Sequence, residues 1–408
     1  MLRRAIETVH RREGARILAG LIRRLGDLGV AEEALQDAYA KALQSWPADG
    51  MPDNPAAWLA RVARNRGIDL LRRGGKMDPN GEDVLSKLPA PHKELTETGP
   101  LPDDRLRLIF TCCHPALAQS GQTALALRLL CQLSTAEIAR AFVEPEPTTA
   151  QKIVRAKRKI AIARIPYVVP TEVELPERLA AVFAVVYLLF NEGYSATSHE
   201  RLTRPDLVVE AIRLGRLLVE LLPREPEARG LLAMMLLHDA RRAAREADDG
   251  SLIPLEEQDR AAWDQARIRE GLALLDSAML ARQPGSYQIQ AAIAALHAQA
   301  RSPAGTDWPQ ISALYGALLR HLDTPVVQLN AAVALAMAGD LHAGLAWITQ
   351  IESNGDLSTY HLLPAAKAEL HRRAGNASAA RSYYLQALDL VRNAGERKYI
   401  ERRLQELS

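Results

Sequence analysis

The sequence predicts an all-α protein, and three observations lead to that prediction. Ala, Leu and Arg, which lose little rotamer freedom in a helix, abound, whereas aromatic residues make up only 5% of the 408 residues. Apolar residues recur at three- and four-residue steps, and no alternating strand segment of useful length occurs. At 48% hydrophobic and 25% charged residues, the composition is that of a globular protein, and the length suggests several domains.

Charge and cysteine content exclude several classes of protein. The 51 Lys and Arg residues nearly balance the 49 Asp and Glu residues, and the formal charge of +2 excludes a uniformly basic coat for nucleic acid. Three cysteines cannot form a disulfide framework, which favours a reducing compartment. No signal-peptide core follows the N-terminus, and the longest apolar run, 179–190, has 12 residues where a membrane span needs about 20. We therefore expect a soluble, cytoplasmic protein without membrane contact.

Breaks in the helical pattern divide the chain into three helical parts and a linker. The first block covers residues 1–75 and the second block residues 103–166, and a polar stretch rich in Pro and Gly, residues 76–102, links them. A cluster of prolines, which cannot continue a helix, ends the second block: Pro166, Pro170 and Pro176. Residues 175–408 then read as helix after helix separated by Pro and Gly turns, and we call them the C-terminal array.

In the first block, an amphipathic helix is predicted over residues 31–46. Its large apolar residues recur at helical steps and predict a face that packs inward: Leu35, Tyr39, Leu43 and Trp46. After a short loop, Asn54 suits the N-cap and Pro55 the first position of a second helix, which runs to Arg73.

This second helix is strongly basic. Its five cations stand against one acidic residue, Asp69: Arg61, Arg64, Arg66, Arg72 and Arg73. Together with Trp58 near the start, they suit a helix that binds a DNA backbone and unstacked bases. A solvated charged helix with Trp58 in the core is the alternative on charge alone.

The order of these two helices resembles region 2 of the bacterial extracytoplasmic-function sigma factors. The resemblance rests on the Gln36-Asp37 pair and on a pattern in the second helix: Pro55, Trp58, Leu59, Ala63, Asn65, Ile68, Asp69, Leu71, Arg72 and Arg73. In that family the first helix docks on the β′ clamp helices of core RNA polymerase and the second meets the minus-ten promoter element. The resemblance implies a set of polymerase-binding residues: Glu33, Leu35, Gln36, Asp37, Tyr39 and Leu43. It also implies a minus-ten DNA-binding set: Trp58, Arg61, Arg64, Asn65, Arg66, Asp69, Arg72 and Arg73.

The second block is predicted to contain a helix-turn-helix. Ser134 and Glu137 form a capping-box pattern that starts a short helix, and after the turn at residues 144–147 a basic helix without acidic residues covers 148–160. The first side chains of that helix would reach the major groove: Thr148, Thr149 and Gln151. The later cations would bind phosphates: Lys152, Arg155, Lys157, Arg158 and Lys159.

This block resembles sigma region 4, which reads the minus-thirty-five element. The resemblance also implies a contact with the β flap of the polymerase. The residues that carry the resemblance are 136–139 and 155–157. One departure is in the turn, where Val143 replaces the usual Gly and Pro145 and Pro147 are added.

Residues that could serve catalysis or metal binding have simpler interpretations. No Walker loop, dinucleotide fingerprint or paired catalytic carboxylate occurs in the sequence. Cys112, Cys113 and His114 are metal-ligand types, but adjacent cysteines cannot easily form a tetrahedral chelate, so we expect small buried helix residues instead. His238 and Asp239 could suggest general-base chemistry, and we favour a polar seam between helices. We expect no enzyme activity, metal or cofactor.

The C-terminal array contains a repeat. Ala338-Gly339-Asp340 recurs as Ala374-Gly375-Asn376 at an offset of 36 residues, near the tetratricopeptide period of 34. Around the second copy, Tyr384 can fill the space between two helices whose small residues allow close approach: Ala368, Gly375, Ala380 and Ala387. The pattern resembles a tetratricopeptide unit, and generic Ala-rich helical hairpins are the alternative.

Over essentially the whole chain, these parts resemble the sigma-70-family group 4 (extracytoplasmic-function) sigma factors with a C-terminal tetratricopeptide-like extension. Residues 190–194 and 236–241 are further landmarks of that resemblance. It implies an alternative sigma factor that binds core RNA polymerase and promoter DNA, directs promoter-specific initiation and is modulated by its extension, which could bind a protein partner. Two alternatives stay open: a helical-repeat scaffold, and a helix-turn-helix repressor that does not act on polymerase.

Overall fold

Helices form nearly all regular structure in the computed structural model, which describes residues 2–73, 101–141, 144–171, 173–194, 205–355 and 357–407. The predicted all-α fold class is confirmed. Within the described ranges, the strand-like pairing is limited to one isolated bridge between Glu246 and Leu252. The chain divides into two compact units, Met1–Leu188 and Leu189–Ser408.

Three packed helices begin the first unit: α1 (Leu2–Leu25), α2 (Leu28–Asp49) and α3 (Pro55–Arg73). The side chain of Asp27 caps α2 by accepting a hydrogen bond from the Val30 amide at 3.0 Å. The buried face of α2 is mostly alanine, which permits close helix packing: Ala31, Ala34, Leu35, Ala38, Ala42 and Trp46. Leu43 is 45% exposed, so the predicted inward face is wrong at this residue, because Ala42 occupies the buried position on that turn.

The start of α3 follows the prediction. Asn54 Oδ1 accepts a hydrogen bond from the Ala57 amide at 3.0 Å, as an N-cap should. On the buried side, Gly67 approaches α1 so closely that a Cβ at this position would lie 2.4 Å from Cδ1 of Leu25. This glycine therefore brings α1 and α3 into contact and determines which face of α3 turns outward.

Four further helices of the first unit come from the second block: α4 (Leu101–Cys112), α5 (Gln119–Leu125), α6 (Thr135–Ala141) and α7 (Glu146–Ile162). A π-helical turn, Ala126–Leu130, extends α5. The helix α4 begins two residues before the predicted boundary at residue 103, and predicted linker residues 76–100 lie outside the described residues. The apolar segment 123–133 is buried apart from Arg128, as its sequence suggests.

The remaining helices are α8 (Leu175–Tyr194), α9 (Pro205–Leu221), α10 (Pro226–Asp239), α11 (Gln265–Met279), α12 (Ser286–Gln299), α13 (Trp308–Leu319), α14 (Pro325–Met337), α15 (Leu341–Asn354), α16 (Leu362–Arg373), α17 (Ala377–Leu390) and α18 (Ala394–Glu406). Consecutive helices of the second unit pack together as hairpins, for example α14 with α15 and α16 with α17. A run of helical hairpins is thus the architecture of the described part of this unit.

The repeated tripeptide forms the same turn in both hairpins. Gly339 and Gly375 have φ of +120° and +75°, where a side chain would be strained. Asp340 and Asn376 then cap the second helix of each hairpin by accepting a backbone hydrogen bond, at 3.0 Å and 3.1 Å. Gly375 therefore serves the turn, whereas the other predicted packing residues are fully buried between helices: Ala368, Ala380, Tyr384 and Ala387.

None of the described helices combines the length and the apolar character needed to cross a membrane.

Candidate nucleic-acid interface

The outward face of α3 carries a row of polar and charged side chains. Its exposed members recur at three- and four-residue steps: Arg61, Asn65, Asp69, Arg72 and Arg73. Arg64 is half-buried at the edge of this row. Because Leu59, Ala63 and Gly67 hold the opposite side against neighbouring helices, the excess of guanidinium groups faces solvent. Such a surface can neutralise the phosphates of a nucleic acid.

Arg66 turns away from that row toward α2. Its Nε donates a hydrogen bond of 2.5 Å to Oδ2 of Asp37, and this bond raises the pKa of Arg66. Asp37 belongs to the predicted polymerase-binding set and Arg66 to the predicted minus-ten set, so the two sets meet on adjacent helices. Replacing Asp37 would release Arg66 as well as remove a carboxylate, which makes Asp37 an ambiguous probe of docking.

The other predicted polymerase-binding residues divide between surface and interior. Glu33, Gln36 and Leu43 share an exposed face of α2. Tyr39 is half-buried with its ring edge-on to His10 at a centroid distance of 4.8 Å, and burial raises its pKa. Leu35 is only 3% exposed, so it packs the core and cannot reach a partner, and the prediction of a direct contact is corrected at this position.

Trp58 connects the two helices. Its ring lies 5.3 Å from that of Trp46 in a T-shaped arrangement, and the side chain is half-buried. The residue thus contributes to the packing of α3 on α2 and keeps part of its surface accessible.

The helices α6 and α7 carry the predicted helix-turn-helix elements. The Ser134 amide donates to Oε2 of Glu137 at 2.7 Å and the Glu137 amide donates to Oγ of Ser134 at 3.2 Å, which confirms the capping box. The helix α7 begins two residues earlier than predicted because Pro147 fits its first turn. Residues Phe142 and Val143 lie outside the described residues.

Most predicted DNA-contacting residues of α7 are on its surface: Thr148, Gln151, Arg155, Arg158 and Lys159. Thr149 is fully buried and its Oγ1 donates to Oε1 of Glu144 at 2.6 Å, so it fixes the turn and cannot reach a base, which corrects that prediction. Lys152 forms an ion pair with the same carboxylate.

A carboxylate that the sequence analysis did not single out connects the two blocks. Glu32 of α2, with a side chain 13% exposed, forms an ion pair with Lys157 of α7. Its Oε1 also accepts from Nε of Arg128 at 3.3 Å. These two cations are 96 and 125 residues away from Glu32 in the chain, and no local pattern indicates such a pairing.

Further contacts hold both blocks in one unit. Nε of Arg23 donates to Oδ2 of Asp104 at 2.9 Å. The Tyr167 hydroxyl donates to the carbonyl oxygens of Ala19 at 3.1 Å and of Asp104 at 2.9 Å. The basic surfaces of α3 and α7 are therefore parts of one compact body.

The adjacent cysteines are packing residues, as expected. Cys112, Cys113 and Cys131 are buried and unbridged, and burial raises the pKa of the Cys113 thiol to about 12. The neighbouring His114 accepts a hydrogen bond from the Ala116 amide at 3.0 Å through Nδ1. No group of three or more metal-ligating side chains occurs among the described residues.

In the second unit, the landmark segments around residues 190–194 and 236–241 meet. The Tyr194 ring stacks on Phe190 at 5.5 Å and meets His238 edge-on at 5.3 Å. Nη2 of Arg241 donates to the Tyr194 hydroxyl at 2.9 Å and lies 3.0 Å from Nδ1 of His238. Burial and the nearby arginines lower the pKa of His238 well below its usual value. This geometry is the buried polar seam that the sequence analysis favours.

Two family models match the chain. Residues 9–77 match Sigma-70 region 2, a range that contains all of α2 and α3. Residues 178–279 match a family of unknown function, DUF6596, and this range includes both landmark segments.

One curated relative aligns over nearly the full length. The chain is 44% identical over 397 residues to the uncharacterized protein R00370 of Rhizobium meliloti (strain 1021), and the alignment covers 96% of this chain and 93% of that protein. No solved structure matches the chain.

Proposed function

Because the chain belongs to the family of that Rhizobium meliloti protein and contains a Sigma-70 region 2 domain, we propose that it is an alternative sigma factor of the extracytoplasmic-function group. One observation carries the proposal: the region 2 match contains both α2, with its exposed face of Glu33, Gln36 and Leu43, and α3, with its outward arginines. A surface for protein and a surface for DNA on adjacent helices suit a factor that brings polymerase to a promoter.

In this proposal the exposed face of α2 docks on the β′ clamp helices. Leu43 offers an apolar contact within a polar rim, which is the usual composition of a protein interface. The outward residues of α3 then hold the minus-ten element, with arginines on phosphates and Asn65 available for hydrogen bonds to exposed bases.

The second block reads the minus-thirty-five element and approaches the β flap. Thr148 and Gln151 lie exposed in the first turns of α7 and are placed to contact base edges. Arg155, Arg158 and Lys159 grip the flanking phosphates.

Simultaneous binding to both elements requires the two blocks to move apart. Elements named for positions ten and thirty-five are about 25 base pairs apart, or roughly 85 Å at 3.4 Å per base pair. The Glu32 contacts with Lys157 and Arg128 join the blocks directly, so they must break when the factor spans a promoter. The compact first unit is then the form that precedes promoter binding.

The C-terminal array regulates this activity as a tetratricopeptide-like extension. The alignment with the Rhizobium meliloti relative spans both units, which supports a function that needs them in one chain. The repeated capped hairpins support a role in binding a protein partner, because arrays of this kind present extended concave surfaces.

Co-elution of the full chain with bacterial core RNA polymerase in size exclusion tests the proposal. We expect a complex, and we expect Gln36→Ala/Leu43→Ala to weaken it about tenfold or more because both side chains lie on the docking face. A matched control, Leu385→Ala/Gln386→Ala, removes an equally exposed leucine and glutamine from α17 and leaves the complex intact. DNA binding without any association with polymerase would favour the repressor. A complex that neither double variant weakens would contradict the assigned docking face.

A further inference from the structure

The second unit contains a cavity of about 440 Å³, within the size range of small-molecule sites. Its wall combines aromatic and aliphatic side chains, such as Trp308, Val333, Met337 and Tyr399, with a few polar ones, such as Arg260 and His297. The proposed contacts with polymerase and DNA lie in the first unit and do not involve this cavity.

One side of the cavity is electrically balanced by its own ion pairs. Glu369 accepts from Nη2 of Arg372 at 2.7 Å and from Nε of Arg373 at 2.8 Å. Glu256 forms ion pairs with Arg373 and, at 3.3 Å, with Arg403, which also pairs with Glu257 at 2.8 Å. These carboxylates and guanidinium groups satisfy one another, so they need no external charge.

Arg260, on the wall of the same cavity, has no such partner. Its Nη1 donates to the carbonyl oxygens of His297 at 2.6 Å and Ala300 at 2.9 Å, and its guanidinium lies 4.6 Å from the Trp263 ring centroid. Within the part of the chain that the structure describes, no carboxylate pairs with it. Burial and Arg241, which is also a cation, lower the pKa of Arg260.

Several buried polar atoms around Arg260 also lack hydrogen-bond partners: Nε of Arg260, Nδ1 of His297 and Nε1 of Trp263. Most buried polar groups in native proteins are hydrogen-bonded, and an exception calls for an explanation, of which a bound water, ion or ligand is one. The His297 ring is neutral at pH 7, because burial and the nearby cations Arg241 and Arg260 lower its pKa to about 4. The wall therefore offers a guanidinium that pairs with no carboxylate among the described residues, beside a neutral ring.

We propose that this cavity binds a small organic carboxylate with an apolar body, whose carboxylate pairs with Arg260 while its body packs against Trp308, Val333 and Met337. A guanidinium matches the two oxygens of a carboxylate in geometry and charge. One guanidinium without a carboxylate partner suits a monoanion, whereas a phosphate dianion would call for a second such cation. The remaining wall is mainly apolar and favours a hydrocarbon or aromatic body.

Isothermal titration calorimetry of the full chain tests this assignment at pH 7.5. The probes are 2-naphthoate and octanoate, each compared with its uncharged amide, 2-naphthamide or octanamide. We expect at least one carboxylate to bind about tenfold or more tightly than its amide. Arg260→Gln should remove that preference, whereas Arg320→Gln, which changes an exposed arginine outside the cavity, should preserve it.

Equal affinities for acid and amide, no binding of either carboxylate, or an Arg260→Gln chain that keeps the preference would each overturn the proposal. If Arg260→Gln does not fold, Met337→Trp provides a second variant, since it fills the apolar side of the cavity and keeps the cation. Met337→Trp should abolish carboxylate binding, and unchanged binding would overturn the site. The measurement needs neither polymerase nor DNA, so its result is independent of the proposed sigma activity.

Discussion

His297 shows how burial determines the charge of one side chain in the second unit. Burial, together with Arg241 and Arg260, lowers its pKa from 6.5 to about 4. Between these two values the unfolded chain binds more protons than the folded chain, so the free energy of unfolding falls as the pH decreases from 7.5 to 5. We expect this residue to contribute a loss on the order of 1–2 kcal/mol over that range, measured as the difference between wild type and His297→Gln in urea denaturation.

His342 supplies the control for that measurement. It is exposed on α15, and His342→Gln should leave the wild-type loss between pH 7.5 and pH 5 unchanged. His238 also has a lowered pKa and is present in all three chains, and burial is the largest cause of its shift, with His297 the last of the named causes. A His297→Gln variant that loses as much stability as wild type at pH 5 would contradict the assigned cause.

The roles of individual residues could be predicted where the neighbouring sequence determines them. The Asn54 cap and the Ser134–Glu137 capping box depend on residues three positions apart, and both are confirmed. Leu35 and Thr149 fit the sequence patterns of contact residues, but both are buried. Which side of a helix is buried depends on partners that are distant in sequence. A resemblance to a family indicates the residue type at a position, but it does not show whether that position is buried.

At the scale of elements, the contact of α2 with α7 limits which cations of α7 are free to bind DNA. The helices themselves follow from periodicity and capping, whereas their contact rests on Glu32 and on Lys157, which is 125 residues away in the chain. Pairing over that distance is a property of tertiary packing. The contact masks Lys157, one of the predicted DNA-binding cations of α7.

Glu32→Gln should expose the cations that Glu32 now neutralises. Lys157 and Arg128 would lose their carboxylate partner, and both could then bind phosphates. Each added phosphate contact steepens the dependence of log affinity on log salt concentration by about 0.9, so we expect a slope steeper by about 1 to 2. The measurement is fluorescence anisotropy of a labelled 30-base-pair duplex of random sequence, titrated with the full chain at several salt concentrations.

The adjacent residue provides the matched control. Glu33→Gln makes the same change in net charge at an exposed position of the same helix, and it should leave the slope near that of wild type. Identical slopes for the two variants would show that net charge alone, and not release of Lys157 and Arg128, governs the effect.

At the scale of the whole molecule, the chain joins a unit with two basic surfaces to a unit of helical hairpins. The overall charge of +2 conceals this arrangement, because the cations of α3 and α7 are local while the second unit contains ion pairs such as those of Glu256 and Glu369. The sequence indicated three helical parts and their order. It could not show that the first two form one compact unit, since the contacts that join them are single residues without a pattern.

The structure also shows where the C-terminal unit can be removed to test its regulatory role. A cut after Pro170 would delete Arg178, whose Nη2 donates to the carbonyl oxygen of Phe110 at 2.7 Å within the first unit. A cut after Leu188 keeps that contact and follows the division between units, and it falls within α8, whose residues 189–194 it removes. Residues 1–188 contain the proposed docking face of α2, so we expect this fragment to co-elute with core polymerase as the full chain does. If the array modulates initiation, the two proteins should differ by roughly fivefold or more in transcript yield from fragmented genomic DNA, in the range of typical allosteric coupling. Equal yields from the same promoters would remove the regulatory role, and a fragment that folds but no longer co-elutes would place part of the docking surface in the array.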